Sequence, residues 1–181
     1  PYGALFPFGS LEEVCAKLNL NFHKNRPVAG IIPEEKILCF ADGSRARYDQ
    51  ILISTGASAL MPPIPGLDQP GVFKMRTAED AVHLKGMLDA KTVKSGLVIG
   101  ASWVGIKIVE DLVNRNIPCT LIDGADRMFC TAAFEQTAER AKKDLEARGV
   151  AVRCGQMLSH ILREPDGSLT AVMQNGGRFT A

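Results

Sequence analysis

The sequence predicts an α/β protein, with a parallel sheet interleaved with helices and antiparallel strands added before and after it. Three observations predict it. Short apolar runs alternate with helical periodicities from Thr77 to Gly149, the pattern left by parallel strands joined through helical crossovers. A proline-rich stretch, Met61-Pro62-Pro63-Ile64-Pro65-Gly66, sets that region apart from what precedes it. Reversal signals at Asp42-Gly43, at Pro165-Asp166-Gly167 and at Asn175-Gly176-Gly177 mark tightly turning strands outside the alternating region.

Taken in order, the first element is a short helix from Ser10 to Asn19. Ser10 caps it, Glu13 completes a capping box, and Leu11, Val14 and Leu18 line one face. Two short strands follow, Val28 to Ile32 and Lys36 to Phe40, then the turn Ala41 to Ser44. Gln50 to Ser54 reads as a buried strand leading into Thr55-Gly56. The proline-rich stretch is unsuited to helix or central strand and reads as the linker. Beyond it come a helix opened by Thr77 and running to about Ala90, a strand from Ser95 to Ile99, a helix from about Trp103 to Asn114, and a strand from Pro118 to Asp123. A longer helix, about Ala132 to Arg148, carries Phe134, Ala138, Ala141 and Leu145 at helical spacing and ends at Gly149. The tail from Val150 reads as short strands.

Composition narrows the function classes. Of the 181 residues, 46% are hydrophobic and 23% charged, which excludes a disordered chain, a collagen-like repeat and a disulfide scaffold. A net charge of +1 gives no electrostatic argument for a nucleic-acid partner. No apolar run approaches the roughly 20 residues of a membrane span, so no membrane partner is expected. The start, Pro1-Tyr2-Gly3-Ala4, has neither an initiator Met nor a basic n-region, and the chain reads as beginning in mid-gene without a signal peptide. Cys15, Cys39, Cys119, Cys130 and Cys154 are scattered and odd in number, which reads as reduced thiols of a cytoplasmic protein. His23, His83 and His160 lack ligand spacing, so no metal site is expected, and the charged run Glu139 to Glu146 reads as a solvated helix face.

The stretch that carries chemistry is Leu97-Val98-Ile99-Gly100-Ala101-Ser102-Trp103-Val104-Gly105. An apolar strand runs into Gly100, which permits a sharp turn, and Gly105 lets the new helix pack closely on the sheet. Free N–H groups at the helix start, with the positive end of its dipole, suit a pyrophosphate. Ser102 stands at the middle position, which usually holds glycine. Strand, turn, helix and second strand are completed by an acid, Asp123, placed to accept the hydroxyl protons of an adenosine ribose. A carboxylate there repels a 2′-phosphate, and Gly124 rather than arginine follows it, so NAD(H) is expected over NADP(H).

With these residues in hand, four stretches together resemble the pyridine nucleotide-disulfide oxidoreductase superfamily, the two-dinucleotide flavoproteins. They are Tyr48 to Ala57, Pro62 to Gly66, Arg76 to Ala81, and Gly100 to Glu110 with Asp123. The resemblance implies a Rossmann-like FAD/NAD(P)-binding fold, a central parallel sheet with helices on one side and a small antiparallel sheet on the other. It implies a partial flavin-domain segment and linker over residues 1–66 and an NAD(H)-binding domain over 67–181. NADH would bind along Gly100, Ala101, Ser102, Trp103, Val104 and Gly105 with its ribose on Asp123. Hydride would pass to FAD and on to a disulfide, peroxide, oxygen or protein acceptor. Trp103 matches the position where the family often places an aromatic residue over the flavin, and Thr55 and Gly56 match residues that touch flavin in a complete enzyme. The resemblance leaves room for a homodimer and a protein electron acceptor.

Departures from the pattern set further expectations. Lys107 stands where the family usually has a glutamate that bonds the nicotinamide end, and Glu110 matches an acid one turn later. No flavin-domain glycine turn lies between Pro1 and Ser54, and no acidic Gly-Asp segment follows before Ala181. The expectation is a part of an enzyme that holds NADH weakly and FAD hardly at all, with its redox cysteine upstream of Pro1. Two other readings stay open. A self-contained dehydrogenase would need a catalytic base and a substrate domain, and neither is apparent. A non-catalytic nucleotide sensor is suggested by Lys107 and by the similarity of Gly100-Ala101-Ser102-Trp103 to the apoptosis-inducing-factor-like branch.

Overall fold

The computed structural model describes residues 9–181, and the chain divides into two compact units, Pro1–Gly56 and Ala57–Ala181. In the first unit, α1 (Leu11–Lys17) opens with the expected capping box: the Ser10 hydroxyl accepts from Glu13 N, and the Glu13 carboxylate accepts from Ser10 N. Strands β1 (Val28–Ile32), β2 (Ile37–Phe40) and β3 (Arg45–Arg47) form an antiparallel meander. The sequence reading omits β3, whose two arginines flank a single alanine and give it no apolar run. Asp42 closes the β2–β3 reversal by accepting from Ser44 N at 2.8 Å, with Gly43 in the left-handed region.

The strand expected over Gln50–Ser54 does not form. Its apolar residues lie open, Leu52 at 90% exposure. A strand exists only through a neighbour that takes its N–H and C=O groups, and no strand among the described residues pairs with this run.

The second unit is a three-layer arrangement. Helices α2 (Ala78–Asp89), α3 (Trp103–Asn114) and α4 (Glu135–Ala147) alternate with parallel strands β4 (Gly96–Ile99), β5 (Cys119–Ile122) and β6 (Ala151–Arg153), in spatial order β4-β5-β6. The period-two alternation of each strand sends its residues to opposite faces. Val98, Leu121 and Val152 pack with Leu84 and Leu88 of α2, Val109 and Leu112 of α3, and Ala138 of α4. Leu97 and Ile122 face the other way, into a second core with Leu158, Ile161, Ala171 and Met173. Those residues come from the antiparallel meander β7 (Leu158–Arg163), β8 (Leu169–Met173) and β9 (Arg178–Thr180). Helices therefore cover one face of the parallel sheet and the antiparallel sheet the other, as expected. Ile64 and Leu67, in and just after the proline-rich stretch, pack into this second core.

One helix boundary is corrected. α4 begins at Glu135 rather than near Ala132, and Phe134 is its N-cap residue, 85% exposed rather than on the buried face. The Arg127 guanidinium takes the carbonyls of Met128, Phe129, Cys130 and Ala133, which holds this stretch as a loop until Phe134. Among the described residues, no helix is long and apolar enough to cross a membrane.

Candidate functional site

The β4–α3 turn uses its two glycines for two different reasons. Gly100 has φ +111°, a conformation that favours glycine, although a side chain there would meet nothing within 4 Å. Gly105 sits in the first turn of α3 where crowding is decisive: a Cβ would lie 1.9 Å from the Gly100 carbonyl oxygen and 3.5 Å from Val98 Cγ1. The helix therefore lies directly against the end of its own strand. Gly100 N extends the parallel ladder by donating to Ile122 O at 2.7 Å.

Between the glycines, Ala101 is 1% exposed and hydrogen-bonded on both sides. Its N–H donates to Asp123 Oδ2 at 2.5 Å, and its carbonyl accepts from Phe129 N at 3.1 Å. Ser102 is the N-cap of α3 in extended backbone, and its hydroxyl makes no capping bond. Ser10 and Thr77, by contrast, close the N-termini of α1 and α2 with full capping boxes. The first-turn N–H groups of α3 thus have no side-chain acceptor among the described residues, at the positive end of the helix dipole.

Asp123 follows β5 directly and joins three segments. Beyond Ala101 N, its Oδ1 accepts from Ala125 N at 2.8 Å. Its own N donates to Arg153 O, and its carbonyl accepts from Gln156 N at 2.9 Å. The carboxylate has about four lone-pair sites, so two backbone donors leave room for ligand hydroxyls.

Trp103, Lys107 and Glu110 lie at i, i+4 and i+7 on α3, hence on one side of the helix. Trp103 is 60% exposed, and its ring centroid lies 4.4 Å from that of Phe129 with a 39° tilt. Val104 and Ile99 add exposed apolar surface beside it. Lys107 Nζ donates to Glu110 Oε2 at 2.6 Å. That bond raises the Lys107 pKa and lowers that of Glu110, each charge holding the other. The Lys107 cation is therefore already paired.

Of the expected site residues, the structure brings Gly100, Ala101, Ser102, Trp103, Val104, Gly105 and Asp123 together around one turn, while Lys107 lies further along α3, paired with Glu110. Thr55 and Gly56 end the first unit, with Gly56 at φ +73°. His83 meets Phe73 edge-on, and His160 Nδ1 bonds the Ser159 hydroxyl. Cys119 and Cys154 are free thiols whose pKa values are pushed up by burial. Sequence reasoning missed Ala125, Arg127 and Phe129, all of which hold the turn. An arginine standing directly before the weakly polar Met128–Phe134 approach to a helix is the one available signal.

Comparison with known proteins identifies the family. A family described as pyridine nucleotide-disulphide oxidoreductase matches residues 4–181. The NADH oxidase of Enterococcus faecalis is 29% identical over 135 residues, 74% of this chain and 30% of that protein. Subunit epsilon of the NADH-dependent phenylglyoxylate dehydrogenase of Aromatoleum evansii is 36% identical over 88 residues, 49% of this chain and 20% of that protein. Among solved structures, the water-forming NADH oxidase of Lactobacillus brevis bound to NADH superposes with a TM-score of 0.79 at 25% identity, covering 95% of this chain and 38% of that one. The chain thus spans less than half the length of each of these relatives.

Proposed function

The chain belongs to the pyridine nucleotide-disulphide oxidoreductase family, and from that premise we propose that it is the NAD(H)-binding part of a flavin-dependent oxidoreductase. In this reading residues 67–181 hold the nicotinamide cofactor, and residues 1–66 are a flavin-domain segment and linker, with Thr55 and Gly56 near the flavin of the complete enzyme. The observation that carries it is the β4–α3 turn. Gly105 leaves the helix start against Gly100, and Asp123 latches the turn through Ala101 N.

The residues present fit a dinucleotide. The first-turn N–H groups of α3, without a side-chain cap, suit a pyrophosphate. The free lone pairs of Asp123 suit ribose hydroxyls, and its charge disfavours a 2′-phosphate, so the reading commits to NAD(H) over NADP(H). Trp103 offers an exposed aromatic surface on the nicotinamide side, followed by the Lys107–Glu110 pair. Bound NADH supplies a hydride that FAD accepts for delivery to a disulfide, peroxide, oxygen or protein acceptor.

The test is calorimetric titration of the chain with NADH and with NADPH. NADH is expected to bind more tightly, and Asp123→Ala to weaken it by about 1–3 kcal/mol through lost charge-assisted bonds. Equal binding of the two, or binding of neither, overturns the assignment. A second reading, a nucleotide sensor without hydride transfer, is favoured most by Lys107 and is kept open by the Gly100-Ala101-Ser102-Trp103 run. Reduction of flavin by NADH in the complete protein would rule it out.

A further inference from the structure

Phe129 has φ +51°, in the left-handed region that bulky L residues rarely adopt. The other non-glycine residues with positive φ among the described residues are three asparagines and two lysines. Such a conformation persists where its surroundings over-determine it, and here the surroundings are identifiable. Arg127 Nη1 donates to the carbonyls of Ala133 at 3.0 Å, Phe129 at 3.3 Å and Met128 at 3.4 Å, while Nη2 donates to Cys130 O at 2.8 Å. One planar guanidinium thus satisfies four carbonyls of a loop that has no ladder of its own, a task suited to its fixed fork of donors. From below, Met128 is fully buried in the helix-side core. From the side, Phe129 N is bound to Ala101 O of the phosphate turn.

The product of this locking is a ring in a fixed place. Phe129 is 6% exposed and lies against Trp103, which leaves most of the indole open to solvent at the first residue of α3. We propose that Arg127 and Phe129 are positioning residues of the dinucleotide site: Arg127 fixes the loop, and Phe129 is the seat that holds the Trp103 indole beside the phosphate turn. The inference rests on the reading of that turn as an NAD(H) site, and it adds two residues outside the fingerprint. Phe129 acts through Trp103 and Ala101 rather than by touching the cofactor.

Trp103 is the single tryptophan of the chain, so intrinsic fluorescence reports on the seat directly. Phe129→Leu keeps apolar bulk and removes the ring. In a variant shown by circular dichroism to be folded, acrylamide quenching of Trp103 is expected to rise about two-fold. NADH affinity, measured by calorimetry, is expected to fall by about two- to ten-fold, the range of one aromatic pair. Phe129→Tyr is expected to restore both. Arg127→Lys, which keeps the charge but loses the planar fork, is expected to reproduce the Phe129→Leu changes. Folded Phe129→Leu with wild-type quenching and wild-type affinity overturns the proposal, and it does so even if Arg127→Lys fails to fold. A wild-type chain that does not bind NADH overturns the dinucleotide reading instead, and the quenching comparison then decides the seat alone.

Discussion

Substituting alanine for glycine in two different helices of the second unit should change stability in opposite directions. Gly86 lies in α2 on an exposed face, and a Cβ there would meet nothing within 4 Å. Its replacement by alanine gains about 0.5–1 kcal/mol, because alanine restricts the unfolded chain and suits a helix better. Gly105 lies in α3 and has the same propensity to gain, but its Cβ would stand 1.9 Å from a backbone oxygen that cannot rotate away. Restoring an ordinary contact of 3.4 Å requires the helix start to retreat by about 1.5 Å in an interior packed to crystal-like density. Overpacking of this kind costs about 1–3 kcal/mol. The overpacking cost exceeds the propensity gain across most of these ranges, and a net loss of up to about 2.5 kcal/mol is expected for Gly105→Ala.

The same displacement moves the first-turn N–H groups away from the sheet end. Losing one charge-assisted bond to a pyrophosphate is worth about 1.5–3 kcal/mol, or roughly ten-fold or more in NADH affinity. Urea unfolding followed by far-UV circular dichroism and by Trp103 fluorescence measures the first effect, and calorimetry the second. If Gly105→Ala raised the urea midpoint alongside Gly86→Ala, the close approach of helix and strand would be refuted. The two-reason account of the glycines would fall with it.

Further expectations test the electrostatics and the thiols. Lys107→Glu replaces an ion pair by two adjacent carboxylates on an exposed helix face, so the thermal midpoint should move little. Because the proposed reading sets position 107 at the nicotinamide end, where a glutamate can bond the cofactor, NADH affinity should rise, and calorimetry showing weaker binding would refute that placement. Asp80 is held below the ordinary aspartate range by the backbone N–H of Thr77 and then of Arg76. Its folded-state pKa being the lower one, its contribution to α2 is complete above the ordinary aspartate value and is lost as pH falls through the folded value. The acid limb of unfolding should therefore be shallower in Asp80→Asn, as measured by circular dichroism from neutral to acid pH. Brief maleimide treatment with peptide mapping should modify exposed Cys130 ahead of Cys119, whose thiol is buried and raised in pKa. Equal labelling of the two would mean that the helix-side core opens.

What could be read from the chain divides along the range of the forces involved. The β4–α3–β5 unit was legible because each of its signals is local: an apolar run, a glycine at the turn, a glycine one helical turn on, an acid after the second run. The same locality made the capping box of Ser10 and Glu13 and the hairpin turns readable. The Gln50–Ser54 run misled because apolar patterning reports a wish for burial, while a strand is defined by a neighbour that the sequence pattern does not name. Phe134 misled in a related way. Its spacing with Ala138 is helical, but Arg127 had already committed the preceding carbonyls, and a guanidinium reaching four backbone oxygens leaves no periodic trace.

Asp123 shows where a sequence rule and a structure assign different work to the same atoms. Read from spacing, the acid at the end of the second strand is a ribose acceptor with two oxygens to offer. In the structure each oxygen already accepts one backbone N–H, Oδ2 from Ala101 in the β4–α3 turn and Oδ1 from Ala125 in the loop beyond. The carboxylate is thus a brace between the two halves of the proposed site before it is a ligand contact. In the proposed reading, removing it would lower NADH affinity by two routes, lost ribose bonds and a loosened turn, and only the first depends on the ribose hydroxyls. Gly124 carries no such burden: a side chain there would first meet the flexible end of Met157, 2.9 Å from its Cε. If the site binds NAD(H) as proposed, a substitution at Gly124 would test nucleotide preference with the turn intact, whereas one at Asp123 would change specificity and architecture together.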